Sequence, residues 1–360
     1  MSDLITLNRK DPNFIKYLDG SFSAIKRALP IKSLNVNSMA EQVTFVVVDV
    51  DQIGQQPLWY KWFHILKVRN YLWLVFPMFL VAIKNLMDGS LTQPLLAVLS
   101  FVGATFLQGA ASLRNDYIDH MRGLDRIHPK SGSRAIQKGW ITARQVKNSS
   151  WIFAFFGVLF GLPAVIQFPQ LLIMIAALAV VALFGMSSYT MGLKYRRWSE
   201  VTVFLLLGPL LTVGFQIAGG AGLDYEVLLL GITTGWFAVF YLHLKNFEEL
   251  VVHSQAQFNN TITWLGFERS KKLLTIWWVL FLVLFNSYHF IYSSAYWAWF
   301  LGLCSIVSSL SFLVSLSSLE SPAGSGMTNV VQQARYMSIF VMSFWFLENI
   351  WYMWVYQLWK

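Results

Sequence analysis

Nine stretches of this chain stay apolar for close to the ~20 residues that cross a bilayer core, at about residues 70–87, 93–113, 149–167, 171–192, 199–220, 226–245, 272–292, 295–316 and 335–357. The fold expected from them is an all-α, polytopic membrane protein with nine transmembrane helices. Composition agrees, since 56% of residues are apolar and 12% charged, where soluble domains run nearer a quarter charged. The division between the seventh and eighth spans rests on a polar patch of Asn286, Ser287, His289, Ser293 and Ser294. No soluble domain is expected after the last span.

A net charge of +9 could suggest a nucleic-acid partner, but its distribution points to topology instead. Lys61, Lys67 and Arg69 precede the first span, and eight Lys and Arg residues from Arg114 to Lys147 lie between the second and third. Lys194, Arg196 and Arg197 follow the fourth, and Lys245, Arg269, Lys271 and Lys272 surround the connection from the sixth to the seventh. The alternate loops are poor in cations, and the one near Asp224 and Glu226 is acidic. The positive-inside rule then puts the N-terminus and the basic loops in the cytoplasm. The partner is membrane lipid, with no nucleic acid.

Residues 1–66 read as a cytoplasmic N-terminal extension without a signal peptide, and 67–360 as the membrane domain. Phe14, Leu18, Phe22, Ile25 and Leu29 recur at helical spacing among Lys16, Lys26 and Arg27, with Pro30 as a stop, which predicts either an interfacial amphipathic helix or a mobile tail with helical bias. The run Val43 to Val48 is too short to span and is expected to pack on the protein. Cys304 stands alone in an apolar segment, so neither a disulfide nor a thiolate metal site is expected. Lys84 and Glu348 fall at membrane depth, where an ionisable group marks function by default; a structural pair, or a position near an interface, is the plainer reading.

The densest polar segment is NDYIDHMRGLDRIHPKSGSRAIQKGWIT, residues 115–142. Asp116 and Asp119 sit three apart, on one helical face. Mg2+ takes oxygen ligands and is commonly held by one or two carboxylates plus substrate phosphate oxygens, so Asn115, Asp116 and Asp119 suit half of a magnesium-diphosphate site. Asp125 could supply a further carboxylate. Arg134 and Lys138 are one turn apart and suit phosphate oxygens. An ordinary polar loop, with acids pairing to bases, is the alternative.

These residues resemble the first aspartate-rich motif of the UbiA superfamily of intramembrane prenyltransferases, and are most similar to its 1,4-dihydroxy-2-naphthoate polyprenyltransferase branch. The N-D-Y-x-D element falls on Asn115, Asp116, Tyr117 and Asp119, and G-x-D on Gly123 and Asp125. The following Arg and Q-x-G-x-I-T fall on Arg134, Gln137, Gly139, Ile141 and Thr142. Between them the chain departs, with His128, Pro129 and Lys130 where the branch has an R-x-G-P-like run. Tyr189, Gly192 and Lys194, then Gly208-Pro209, also resemble the branch, which makes Lys194 an implied diphosphate contact.

The second aspartate-rich motif is altered. Asn246, Glu249 and His253 stand where the branch has Asn, Asp and Asp, followed by Thr261, Leu265 and Gly266 as an echo of its T-L-x-x-x-L-G tail. Glu249 keeps a carboxylate for Mg2+, whereas an imidazole suits other metals better. Lys245 adds a positive charge beside the site. Zinc at His243, Glu249 and His253 would need a spacing that matches no known ligand signature.

The resemblance implies nine helices around a central cavity, Mg2+ as cofactor, and transfer of a polyprenyl group from its diphosphate to an aromatic acceptor such as 1,4-dihydroxy-2-naphthoate, in menaquinone or related biosynthesis. The implied metal ligands are Asp116, Asp119, Asp125 and Glu249, with Asn115, Arg134, Lys138, Lys194, Lys245 and Asn246 on the diphosphate. Asp116, Asp119, Glu249 and His253 are the implied catalytic set. The expected location is a bacterial inner membrane with the site facing the cytoplasm. Other acceptors, such as a tetrapyrrole, a carotenoid or a glycerol phosphate, stay open. The altered second motif also leaves open a degenerate member that binds prenyl lipid or quinone, or serves a membrane complex. A transporter is not expected, because no internal repeat or paired broken helices are evident.

Overall fold

Helices account for most of the chain in a computed structural model that describes residues 3–358 other than 37, 55, 128–131, 186–191, 257 and 323. His128, Pro129, Lys130 and Tyr189 therefore lie outside the described residues. The chain divides into two compact units: Met1–Leu72, Gly103–Phe160 and Ala179–Lys194 form one, and Trp73–Val102, Gly161–Leu178 and Tyr195–Lys360 the other.

In the first unit the N-terminal segment corrects the all-α expectation. Strands β1 (Asp3–Asn8), β2 (Lys26–Leu34) and β3 (Gln42–Asp49) form an antiparallel sheet in the order β1-β3-β2. The helix expected over 14–29 stops early: α1 spans Phe14–Asp19 and is closed by Gly20 in the left-handed region. Phe14 and Leu18 do not face lipid; they are buried against Val43, Phe45 and Met121. The 43–48 run packs on the protein as expected, with alternate residues Val43, Phe45 and Val47 buried, the period-two pattern of a strand. Interfacial character falls instead on α2 (Leu58–Ile65), which exposes Leu58, Trp59 and Phe63 and buries Ile65 against Leu113, Ala135 and Val146.

Helix α3 (Leu72–Met87) is followed by α4 (Pro94–Arg122), a single-turn α5 (Leu124–Ile127) and α6 (Ala143–Gln167). The turn between α4 and α5 is made by Gly123, at φ +83°, a conformation that a side chain disfavours. Thr142 opens α6 with a capping box: its Oγ1 accepts from Gln145 N at 3.1 Å, and Gln145 Oε1 accepts from Thr142 N at 3.0 Å, so two orphan amides of the first turn are satisfied. Then come α7 (Leu171–Val180), α8 (Ser199–Leu207), α9 (Pro209–Ala218), α10 (Tyr225–Glu248), α11 (Leu250–Gln255), α12 (Thr261–Tyr292), α13 (Ala295–Ser317) and α14 (Ser325–Leu358). Gly266, at φ +73°, interrupts α12 near its start. The polar patch does divide the seventh and eighth spans, since α12 ends at Tyr292 and Ser293 is extended.

Among the described residues, seven helical segments are long and apolar enough to cross a membrane: Val68–Met87, Pro94–Arg122, Ala143–Gln167, Ser199–Ala218, Tyr225–Glu248, Thr261–Tyr292 and Tyr296–Ser317. The chain is a multi-pass integral membrane protein. The fourth expected span reaches only Leu171–Gly185 within the described residues, and the ninth falls in α14, which is not among the seven.

The Gly208-Pro209 pair breaks one span into α8 and α9. A Cβ on Gly208 would stand 2.5 Å from Phe204 O, 2.6 Å from Gly231 O and 2.7 Å from Gly235 Cα. All three are backbone atoms, which cannot swing aside as a side chain tip can. Gly208→Val is therefore expected to lower stability by about 3 kcal/mol, at the upper end for overpacking, read as a lower unfolding midpoint in detergent. A midpoint equal to that of the unaltered chain would remove the close-approach account of this glycine.

Candidate functional site

Helix α4 carries the first aspartate-rich residues on its final turns, and in the first unit they meet two lysines from distant segments. Lys67 Nζ forms an ion pair with Asp116 Oδ1. Lys194 Nζ lies 2.7 Å from Asp119 Oδ2 and 2.9 Å from Asn115 Oδ1. Asn115 Nδ2 donates to the same Asp119 oxygen at 2.9 Å. Asp116, Asp119 and Asp125 are all buried. The loop approaches at Gly132, where a Cβ would lie 3.0 Å from Asp125 Oδ1 and 3.7 Å from Asp116 Oδ1, so the two carboxylates share one neighbourhood.

Three buried carboxylates in one region raise the cost of ionising any of them. Burial, then the charges of Asp119 and Asp116, push the Asp125 carboxyl up to about 7, against the opposing pull of Lys67 and of the Gln137 hydrogen bond. Burial acts to lower the Lys67 pKa, but Asp116, with Asp119 and Asp125 behind it, outweighs burial and holds the ammonium above its ordinary value. The region calls for cations.

The residues fit Mg2+. Asp116 Oδ2 and Asp125 Oδ1 are buried and have no hydrogen-bond partner among the described residues, which leaves lone pairs for a hard cation. Among those residues no three His, Cys, Asp or Glu side chains form a ready cage.

The basic residues of the loop divide. Arg134, at φ +59°, donates from Nη1 to Asp125 O at 3.2 Å, which sets its guanidinium beside Asp125. Lys138 is exposed, with Nζ 4.5 Å over the Trp140 ring. Two members of the cluster were not singled out as site residues by sequence. Lys67 reads as a flanking charge of the first span, and His120 hides inside the motif; only the adjacency of Lys67 to a span boundary and of His120 to Asp119 could have flagged them.

The altered second motif lies in the second unit, at the junction of α10 and α11. Asn246 is buried, and its Nδ2 has no hydrogen-bond partner among the described residues. Lys245 is exposed. Asn260 Oδ1 accepts from Thr263 N at 3.0 Å as the cap of α12, which turns Asn260 Nδ2 toward His253 Nδ1 at 2.9 Å. An amide nitrogen only donates, so His253 Nδ1 accepts and the ring hydrogen sits on Nε2. That nitrogen is 3.3 Å from Glu249 Oε2. His253 in this tautomer orients Glu249 and has no lone pair left for a metal.

His243 does not join them. Its Nδ1 is 3.4 Å from Glu200 Oε1 and its Nε2 3.3 Å from Ser270 O, while Ser199 and Thr261 hydroxyls each donate to Glu200 Oε2 at 2.8 Å. The His243-Glu249-His253 zinc arrangement is therefore not formed. Nor do Lys84 and Glu348 pair: Lys84 binds Asp88, Asp224 at 2.6 Å and Glu226 at 3.4 Å. Burial acts to raise the Asp224 pKa, but the Lys84 hydrogen bond and charge outweigh it and hold the carboxyl below its usual range.

Residues 72–356 match the UbiA prenyltransferase family. The chain is 27% identical over 178 residues to a 1,4-dihydroxy-2-naphthoate octaprenyltransferase of Haemophilus influenzae, covering 48% of this chain and 58% of that protein. It is 27% identical over 182 residues to the Mycobacterium tuberculosis protein of the same name, covering 49% and 60%. The chain thus spans less than two thirds of the length of these curated relatives. A UbiA homologue from Archaeoglobus fulgidus, solved with GPP and Mg2+, superposes with a TM-score of 0.56 at 15% identity, over 80% of this chain and 99% of the other. A digeranylgeranylglyceryl phosphate synthase structure gives 0.53 at 18% identity, over 81% and 98%. At such identities the likeness is one of fold. The family match covers most of the sequence and includes both motif regions, so the chain belongs to the UbiA prenyltransferase family.

Proposed function

We propose that this protein is an intramembrane prenyltransferase that moves a polyprenyl group from its diphosphate to an aromatic acceptor, with 1,4-dihydroxy-2-naphthoate as the leading acceptor and quinone biosynthesis as the setting. The observation that carries the reading is the buried Asp116-Asp119-Asp125 group with Lys67 and Lys194 against it. Carboxylates alone would repel a diphosphate, and lysines alone would not need them; together they suit a metal-diphosphate. Asp116, Asp119 and Asp125 would hold Mg2+, whose contribution when bound is to offset charge on the leaving pyrophosphate. Asn115, Lys194, Lys67, Arg134 and Lys138 are assigned to the diphosphate oxygens. Asn246, Glu249 and Lys245 are assigned to the same ligand class.

The chemistry is a substitution at an allylic carbon. Its C–O bond breaks, and pyrophosphate departs with the electron pair. An electron-rich ring carbon then forms the new C–C bond, and the ring regains aromaticity by releasing its proton to water or, at a carboxylate-bearing carbon, by releasing CO2, the electrons of the broken bond returning to the ring. Helix α14 and the Leu171–Gly185 segment would bring the seven spans to nine. The basic loops support a cytoplasmic N-terminus and donor site, and a bacterial inner membrane is the proposed setting.

One observation favours a second reading, a binder of prenyl lipid or quinone without turnover or a subunit of a membrane complex: Glu249 is held by His253, which Asn260 holds in turn. Purified protein should be given Mg2+, labelled polyprenyl diphosphate, and dihydroxynaphthoate, hydroxybenzoate or no acceptor. A lipid product that requires both acceptor and metal, and vanishes with EDTA, is expected. Tight diphosphate binding with no product from any acceptor would transfer the assignment to the binder.

A further inference from the structure

The N-terminal sheet and α1 precede the family match at 72–356, yet they reach the loop that carries Asp125. We infer that residues 3–53 form a positioning cap, which sets Asp125 for its cation through His120 and Gln137. The inference rests on the donor-site reading above.

His120 Nε2 lies 2.9 Å from Leu18 O, in the last turns of α1. A carbonyl only accepts, so Nε2 carries the ring hydrogen. Nδ1 then accepts from Gln137 Nε2 at 3.1 Å. The same amide nitrogen donates to Asp125 Oδ2 at 2.7 Å. Reversing the Gln137 amide would set its oxygen against that carboxylate, so the orientation of every group in the relay is determined. Asp125 Oδ2 is thereby engaged from behind, while Oδ1 has no hydrogen-bond partner among the described residues. Outer partners of this kind orient a metal ligand and tune its affinity.

A second tie fixes the register of the cap. Arg126, beside Asp125 in α5, donates to His120 O at 2.9 Å and to Glu41 Oε1 at 2.6 Å. Glu41 Oε2 accepts from Arg9 Nη1 at 3.1 Å. The Glu41 side chain is 0% exposed and that of Arg126 3%. A cap held by apolar contact alone could slide; a buried carboxylate bridged by two guanidiniums has one geometry. The chain also touches the turn at Gly123, where a Cβ would lie 2.5 Å from Val36 Cγ1. His120, Gln137 and Glu41 are positioning residues, acting through Asp125.

The test uses full-length protein in detergent and the binding of labelled inorganic pyrophosphate across a Mg2+ series. His120→Ala and Glu41→Gln should each raise the half-saturating Mg2+ concentration by about 10- to 100-fold, with the number of sites per chain unchanged. His120→Asn, whose side-chain oxygen can stand in for the Nδ1 acceptor, should recover part of that shift. Glu41→Gln keeps the volume of the side chain and makes no contact with the carboxylates, so it carries the test if His120→Ala does not fold. Wild-type Mg2+ midpoints in these variants would overturn the cap. Absence of Mg2+-dependent pyrophosphate binding by the unaltered chain would instead overturn the donor-site reading, and the cap with it.

Discussion

Asp116→Ala is expected to reduce prenyl transfer by roughly a thousandfold, the equivalent of the several kcal/mol of charge stabilisation that a bound cation supplies in a transition state. Two features single out this aspartate. Its Oδ2 is buried with no hydrogen-bond partner among the described residues, and its Oδ1 faces Lys67. Removing the carboxylate takes away a proposed metal donor and also breaks the ion pair that Lys67 makes with it. Raising Mg2+ should therefore restore little activity, because in the proposed site the lost group is a ligand rather than a guide. Asp116→Asn is the sharper probe: it keeps the shape and one oxygen but removes the charge, and should retain more activity than Ala while needing more Mg2+. Single-turnover transfer measured across a Mg2+ series checks both. Wild-type rates from Asp116→Ala would dismiss the proposed donor site outright.

Hydropathy made the helical spans legible because lipid imposes one simple rule, a long apolar run, and each run records it without reference to any other. The break between α12 and α13 was legible for the same reason, since Ser293 and Ser294 interrupt the pattern. The sheet was not. In the segment QVTFVVVD the half-buried face carries Val46 and Val48, so the alternation that marks a strand is blurred by β-branched residues on both faces. Helical spacing from Phe14 to Leu29 was coincidence beyond Asp19, where Gly20 takes a left-handed conformation and ends the helix.

The site divides along a similar line. Asn115, Asp116 and Asp119 are close in sequence, and their spacing on a helix carries the chemistry. Lys67, Glu41 and Arg9 reach the same region from segments whose own patterns serve other ends: a span boundary, a strand edge, a turn. Their partners are set by tertiary contact, which no local period encodes. Lys84 is of both kinds, a charge near a span end that pairs locally with Asp88 and by tertiary contact with Asp224 and Glu226 instead of with the acid of the last helix.

That acid, Glu348 in α14, makes the second large effect, on stability. His289 Nδ1 is 3.1 Å from Phe285 O, so it carries a hydrogen, and Nε2 is 3.0 Å from Glu348 Oε2. The two atoms are within ion-pair distance, although Nε2 makes no aligned hydrogen bond among the described residues. Both residues are buried, His289 at 0% exposure and Glu348 at 1%, with Phe285 and Trp345 rings alongside. Removing one member leaves the other without this contact in a buried site, which for a buried pair costs about 3–5 kcal/mol. Glu348→Ala and His289→Ala are each expected to lose that much in reversible unfolding in mixed micelles. Replacing both, as His289→Phe with Glu348→Leu, removes the polar demand together with its satisfaction and should recover most of the loss, because apolar substitutes of similar volume are often neutral. The coupling between the two sites should then be at least about 2 kcal/mol, within the range for residues in direct contact. Losses that simply add would show that the two side chains do not depend on each other.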